Sequence, residues 1–193
     1  MDIVFATNNR HKVDEARAIL GADFTLTTPK DLKLFEEIPE TANTLQGNAF
    51  MKAQFIWERF HIACFADDTG LEVEALNGAP GVYSARYAGE EHDPKANTEK
   101  LLKALEGKKD RSARFRTVVA LIIDGDTFYF EGVLNGKISE SPSGKGGFGY
   151  DPVFIPEGYD KTLAELTSEE KNAISHRGHS MRQLSEFLNN HIC

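Results

Sequence analysis

The chain has 193 residues, 40% of them apolar, and 30 acidic against 22 basic side chains give it a formal charge of −8. This is enough apolar material for one sizeable core, so a single domain over residues 1–193 is expected, and the acidic balance excludes a general nucleic-acid or anionic-membrane surface while leaving room for a small anion held by local lysines and arginines. Two cysteines, Cys64 in an apolar run and Cys193 at the end, make neither a disulfide framework nor a cysteine metal spacing, and no stretch reaches the roughly 18 consecutive apolar residues of a membrane span.

Ile3-Val4-Phe5-Ala6 reads as a buried strand; it is too short for a signal peptide and has no basic flank, which with the cysteine usage points to a reducing, cytoplasmic setting. The polar run Thr7 to Lys12 leads into the helical pattern Val13, Ala16, Ile19, Leu20, ended by Gly21. Such a turn offers helix N-terminal amides and a lysine to an anion; equally, Asn and Thr are ordinary caps. After a short strand at Phe24 to Thr27, Pro39-Glu40-Thr41-Ala42-Asn43 precedes a long helix. Its apolar positions, among them Leu45, Ala49, Ala53, Ile56 and Trp57, make a wide core face. Asn48 and Lys52, four apart, share a face of that helix.

The apolar run Ile62 to Ala66 ends in Asp67-Asp68-Thr69-Gly70 and reads as a buried strand opening into a site, followed from Glu72 to Gly89 by a shaped loop and not a packing element. Side chains alternate on an extended chain, so Asp67 and Asp68 cannot face one cleft unless the chain turns between them; one is the working carboxylate and the other its support. A strand end with an Asx-type turn competes with that reading. Asp93-Pro94 caps a scaffold helix that runs to Gly107. Ala113 to Ile123, Asp124-Gly125-Asp126 and Thr127 to Phe130 form a hairpin pattern, so the sheet must be mixed.

Ser141 to Pro152 is the most glycine-dense stretch. Gly144, Gly146 and Gly149 match G-x-G-x-x-G in form only, because Asp151 to Pro156 reads as extended where a dinucleotide site needs a helix. Either a loop that brings backbone close to a flat ligand or an exposed hairpin-like loop fits. Thr167-Ser168-Glu169-Glu170 is a capping box opening a helix that carries Lys171. Lys171, His176 and Arg177 would fan around one straight helix and converge only if the chain bends, with Ser175 capping a second helix through Met181, Leu184 and Leu188.

Taken together, Thr7-Asn8-Asn9-Arg10-His11-Lys12, the run from Asp67 to Gly89, Phe148-Gly149-Tyr150-Asp151 and Ser175-His176-Arg177-Gly178 resemble, in this order and over almost the whole chain, the inosine/xanthosine triphosphatase (Ham1-like) family of pyrophosphatases acting on non-standard purine nucleoside triphosphates. The resemblance implies an α/β fold with an elongated mixed sheet flanked by helices, two lobes and a central substrate cleft. It also implies hydrolysis of ITP, dITP or XTP to the monophosphate and pyrophosphate. By the same likeness Glu40 and Asp68 hold Mg²⁺, Asp68 also takes the proton of the attacking water, and Lys12, Lys52 and Lys171 neutralise phosphate, with Thr7, Asn9 and Thr69 beside them. Phe148, Gly149, Tyr150, Asp151, His176 and Arg177 fall to the base. A homodimer is implied, and no nucleic-acid or membrane partner. The chain departs from the family pattern at Gln46-Gly47, where an acidic residue commonly precedes the Asn-Ala pair, and has Thr69 where serine is common. A non-catalytic nucleotide sensor and a metal-dependent nuclease are the other readings, the second wanting a basic track that the composition lacks.

Overall fold

The computed structural model describes residues 1–191; Cys193 lies outside them. In chain order come β1 (Asp2–Phe5), α1 (Arg10–Leu20), β2 (Thr25–Thr27), α2 (Leu45–Phe60), β3 (Cys64–Val73), β4 (Pro80–Gly81), α3 (Pro94–Ala104), β5 (Ser112–Ile123), β6 (Asp126–Ile138), β7 (Phe154–Pro156), α4 (Ser168–Ile174) and α5 (His176–His191). The strands join in the order β2-β1-β3-β5-β6-β7, with β4 on β3. β1 runs parallel to β2 and β3, whereas β4 on β3 and β7 on β6 are antiparallel, so the sheet is mixed as expected. Among the described residues no helix is long and apolar enough to cross a membrane.

The chain divides into two compact units, and β3, β5 and β6 contribute residues to both. Among the described residues the first comprises 1–68, 117–132 and 177–191. Alternation along its strands explains their nearly unbroken apolar sequences. Ile3, Phe5, Phe65, Val119 and Leu121 pack with Val13 and Ala16 of α1 and Met181 and Leu184 of α5. Val4, Ala6, Cys64, Ala66, Ala120 and Ile122 pack with Ala49, Ala53 and Ile56 of α2. A sheet covered on both faces needs apolar residues at every position. At the β5–β6 turn Asp124 and Gly125 both have positive φ, 54° and 89°, the backbone a two-residue hairpin turn requires.

The second unit, residues 69–116 and 133–176, has its own core of Leu71, Val73, Leu101, Phe115, Ile138 and Phe154 with their neighbours. Here the structure corrects two expectations. β3 does not end at Asp67 but runs on to Val73, because Leu71 and Val73 are wanted by this second core and Leu71 and Glu72 pair with Gly81 and Pro80. Asp151–Val153, expected to be extended, form a single 3-10 turn before β7. The break between α4 and α5 falls at Ser175, whose backbone is extended (φ −67°, ψ 155°), so the chain bends there as anticipated.

Candidate active site

The two aspartates of β3 occupy opposite faces of the strand, since the chain does not turn between them. Asp67 shares the parity of Phe65 and meets the helices on that face. Its Oδ1 accepts from Lys12 Nζ of α1 at 3.0 Å and its Oδ2 from Arg177 Nε of α5 at 3.0 Å, and Arg177 Nη1 donates to Glu15 of α1. Asp68 shares the parity of Ala66 and faces α2. Its Oδ2 accepts from Asn48 Nδ2 at 3.1 Å, and Lys52 Nζ lies 3.8 Å from its Oδ1. The same ammonium pairs with Glu40 and donates to the carbonyl of Asp67 at 2.7 Å. Asn48 Oδ1 also accepts from Ala42 N at 2.9 Å, tying the segment that carries Glu40 to α2. Asn48 and Lys52 thus act together, as their four-residue spacing suggested.

Opposite parity separates the acidities of neighbouring side chains. Burial would raise the pKa of Asp67, but Lys12, Arg177 and Lys52 outweigh it and hold the carboxyl well below the ordinary carboxylate range. For Asp68 burial prevails over Lys52 and Lys12, with Glu40 adding to it, and the pKa rises. Glu40 resists its own burial through Lys52 and is lowered. Burial likewise opposes the charge of Lys52, yet Asp68, Glu40 and Asp67 raise its pKa. Asp67 is therefore held as an anion among cations, while Asp68 is the more basic of the two carboxylates.

Thr7 and Asn9 lie just before α1: Thr7 Oγ1 accepts from Asn9 N at 3.1 Å, and Asn9 caps the helix by accepting from Lys12 N at 3.3 Å. Thr69 follows Asp68 in β3, half-buried. Position 47 has no room for a carboxylate, because a Cβ there would stand 2.7 Å from Ala42 Cβ and 2.9 Å from the capping Thr44 Oγ1. Among the described residues no three His, Cys, Asp or Glu side chains converge on a point suited to a metal. The donors present, Glu40 and Asp68, are hard oxygens on either side of one lysine. That set fits Mg²⁺, which is commonly held by one or two carboxylates completed by water and substrate phosphate.

The second unit holds the other group of sequence candidates. Asp151 Oδ2 accepts from Lys171 Nζ at 2.7 Å and from Phe148 N at 2.9 Å, and Lys171 Nζ stands 4.6 Å from the centre of the Phe148 ring. Tyr150 is 6% exposed and donates its hydroxyl to the Ser84 carbonyl at 2.6 Å; burial raises its pKa. His176 stacks on Phe115 with centroids 4.6 Å apart. Two glycines of the loop serve packing: a Cβ on Gly144 would meet Ala164 backbone at 2.6 Å, and Gly146 N donates to Ala164 O at 2.9 Å. Gly149, at φ +60°, would carry a Cβ that meets only open space. Glu15, Asn48 and Ser84 were not singled out as site residues. Glu15 had a signal in its spacing, three residues after Lys12 on one helix face; Ser84 had none.

Residues 3–187 match the model of the Ham1 family. The chain belongs to the Ham1 family. It is 51% identical over 188 residues, 97% of this chain and 98% of the relative, to a dITP/XTP pyrophosphatase of Flavobacterium johnsoniae. It is 54% identical over 187 residues, 96% of each chain, to one of Porphyromonas gingivalis. The Staphylococcus aureus Ham1 protein superposes with a TM-score of 0.90 at 39% identity, covering 99% of this chain and 100% of that one. Ham1 membership agrees with the mixed sheet flanked by helices seen here.

Proposed function

We propose that this chain hydrolyses dITP, ITP and XTP at the anhydride between the α and β phosphates, releasing the nucleoside monophosphate and pyrophosphate and so removing these nucleotides from the pool. The observation that carries this reading is Asp68, a half-buried carboxylate of raised pKa, anchored by Asn48 and set beside Lys52 and Glu40. The names of the relatives supply the substrate class.

Glu40 and Asp68 would hold Mg²⁺, which when bound polarises a phosphoryl oxygen and offsets the negative charge of the triphosphate. Asp68 accepts the proton of the attacking water. Lys52, released from its carboxylates when phosphate arrives, and Lys12, held by Asp67, neutralise the charge that shifts toward the leaving pyrophosphate. Lys171 and the Phe148-Gly149-Tyr150-Asp151 turn, with His176 and Arg177, take the base end on the strength of family resemblance. Arg177 is a pure donor and suits a 6-oxo purine, setting donor against donor with adenine; Arg177→Ala should therefore erode the preference for dITP over dATP, and equal proportional losses for both would count against the role. The same resemblance carries a homodimer in the cytoplasm, the first of which light scattering checks.

Hydrolysis in ¹⁸O-labelled water tests the reaction. Label in the monophosphate with unlabelled pyrophosphate is expected; label in pyrophosphate, or early orthophosphate with a diphosphate intermediate, overturns attack at the α phosphorus. Excess chelator should abolish turnover of dITP and XTP, and oligonucleotides should not be cut.

A further inference from the structure

Asn48, near the start of α2, is 2% exposed, and both ends of its side-chain amide are engaged. Oδ1 accepts from Ala42 N at 2.9 Å, and Nδ2 donates to Asp68 Oδ2 at 3.1 Å. The two ends are not interchangeable. A backbone N–H needs an acceptor and a carboxylate needs a donor, so the Ala42 amide fixes which end of Asn48 meets Asp68. With Oδ2 engaged in this way, Oδ1 is the Asp68 oxygen that faces Lys52, at 3.8 Å. One buried side chain thus joins β3 and α2 to the segment that carries Glu40, two residues before Ala42.

Gly47 makes this join possible. A Cβ there would stand 2.7 Å from Ala42 Cβ and 2.9 Å from Thr44 Oγ1. Neither neighbour is free to retreat, because Ala42 has its amide on Asn48 and Thr44 Oγ1 caps α2 by accepting from Gly47 N at 3.0 Å. Where the family pattern commonly has an acidic residue, this chain has the residue that lets Ala42 come close enough to orient Asn48.

We propose that Asn48 is a positioning residue: oriented by the Ala42 amide that Gly47 admits, it holds the Asp68 carboxylate and the Glu40 segment in one fixed relation, so that the two carboxylates meet a divalent cation together. The inference rests on the reading of Glu40 and Asp68 as the ligands of that cation. Hydrogen-bond partners that orient ligating carboxylates commonly contribute about ten- to a hundredfold in metal affinity or activity.

The test measures Mn²⁺ binding to the protein by electron paramagnetic resonance, beside kcat for dITP. The chains compared are wild type, Asn48→Ala, Gly47→Ala, the double variant Asn48→Ala/Gly47→Ala, and Gln46→Ala, an exposed neighbour outside the join. Asn48→Ala should weaken the Kd for Mn²⁺ about tenfold or more at unchanged stoichiometry, and lower kcat by a similar factor. A misfolded fraction would lower the stoichiometry instead, and a merely structural role would leave the Kd of the folded protein where it was. Gly47→Ala should weaken the Kd about threefold by itself and less than about 1.5-fold in the Asn48→Ala background, because the contact it disturbs is gone. Gln46→Ala should leave it unchanged. An unchanged Kd in Asn48→Ala, an equal proportional loss from Gly47→Ala in both backgrounds, or a wild type that binds no Mn²⁺ overturns the proposal. Should Asn48→Ala fail to fold, Gly47→Ala against Gln46→Ala decides it: weaker binding in the first alone supports the positioning role, and equal affinities overturn it. A wild type that binds Mn²⁺ but leaves dITP intact overturns the pyrophosphatase reading instead, and the Kd series then decides the positioning role by itself.

Discussion

Asp67 in β3 and Asp151 beside the glycine-rich turn are about equally hidden, 1% and 4% exposed, yet they are held in different ways. Asp67 is one knot in a network: its two oxygens and its carbonyl serve Lys12, Arg177 and Lys52, and Glu15, Asp68 and Glu40 stand ready for the same cations. At Asp151 a single oxygen takes both Lys171 and the Phe148 amide. A network can redistribute charge when one member is altered or when a phosphate enters, whereas a pair that loses one member leaves a buried charge. The first arrangement suits moving charge through a reaction, the second suits holding a loop in shape.

The contrast is cut most deeply beside the knot itself. Asp68→Asn should lower kcat for dITP by about a thousandfold, some 4 kcal/mol, with the circular dichroism spectrum unchanged. Asp67→Asn should be milder in turnover, and near-wild-type turnover in a folded Asp68→Asn variant would remove the proton acceptor from the mechanism.

In stability the order reverses. Asp151→Ala leaves Lys171 buried and deprives the Phe148 amide of its acceptor, so urea unfolding should show a loss of about 3–5 kcal/mol. Asp67→Asn retains a polar acceptor among several carboxylates and should lose roughly 1–3 kcal/mol. Equal losses would mean the network gives no protection.

Within the glycine-rich stretch the same logic separates two glycines with positive φ. Gly144→Ala meets Ala164 backbone at 2.6 Å as well as an unfavourable φ of +91°, and should destabilise by about 2 kcal/mol or more. Gly149→Ala meets only the strain of its φ, about 1 kcal/mol, so its larger effect should fall on KM for dITP. Matching changes in Tm and KM for the two variants would erase the distinction between a packing glycine and an open one.

The smallest effects lie in pH. Asp67 is depressed in the folded protein, so its contribution to stability is complete above the ordinary value of 3.8 and is lost as pH falls below it toward the folded value. Asp67→Asn should therefore flatten the acid limb of a Tm profile below about pH 4. Cys64 runs the other way. Burial pushes its thiol up to about 12, so what it contributes is complete below the ordinary value of 9.0 and is lost as pH rises through about 12. Native protein should resist iodoacetamide at mildly alkaline pH, and urea-unfolded protein should react.

Elements whose cause is local were legible from residues. The Asn9 and Asp93 caps, the Gly21 stop, the Asp124-Gly125 turn and the bend at Ser175 each follow from a side chain or backbone acting within a few positions. Alternation at Asp67-Asp68 was also legible, and it correctly denied both aspartates to one face. The length of β3 was not, since polar Asp-Asp-Thr-Gly looks like a strand end until a second core is known to claim Leu71 and Val73. Nor were the partners of Arg177, found 110 and 162 positions away in Asp67 and Glu15, or the hold of Tyr150 on the Ser84 carbonyl, 66 positions away. By itself the sequence determined the mixed α/β class and the set of chemically able residues, because composition, period and turn chemistry act over short range, and its motifs in order carried the resemblance to the family. Tertiary structure alone decided which of the two carboxylates is lowered in pKa and which is raised, because pKa depends on burial and on charges that only the folded chain brings within a few ångströms.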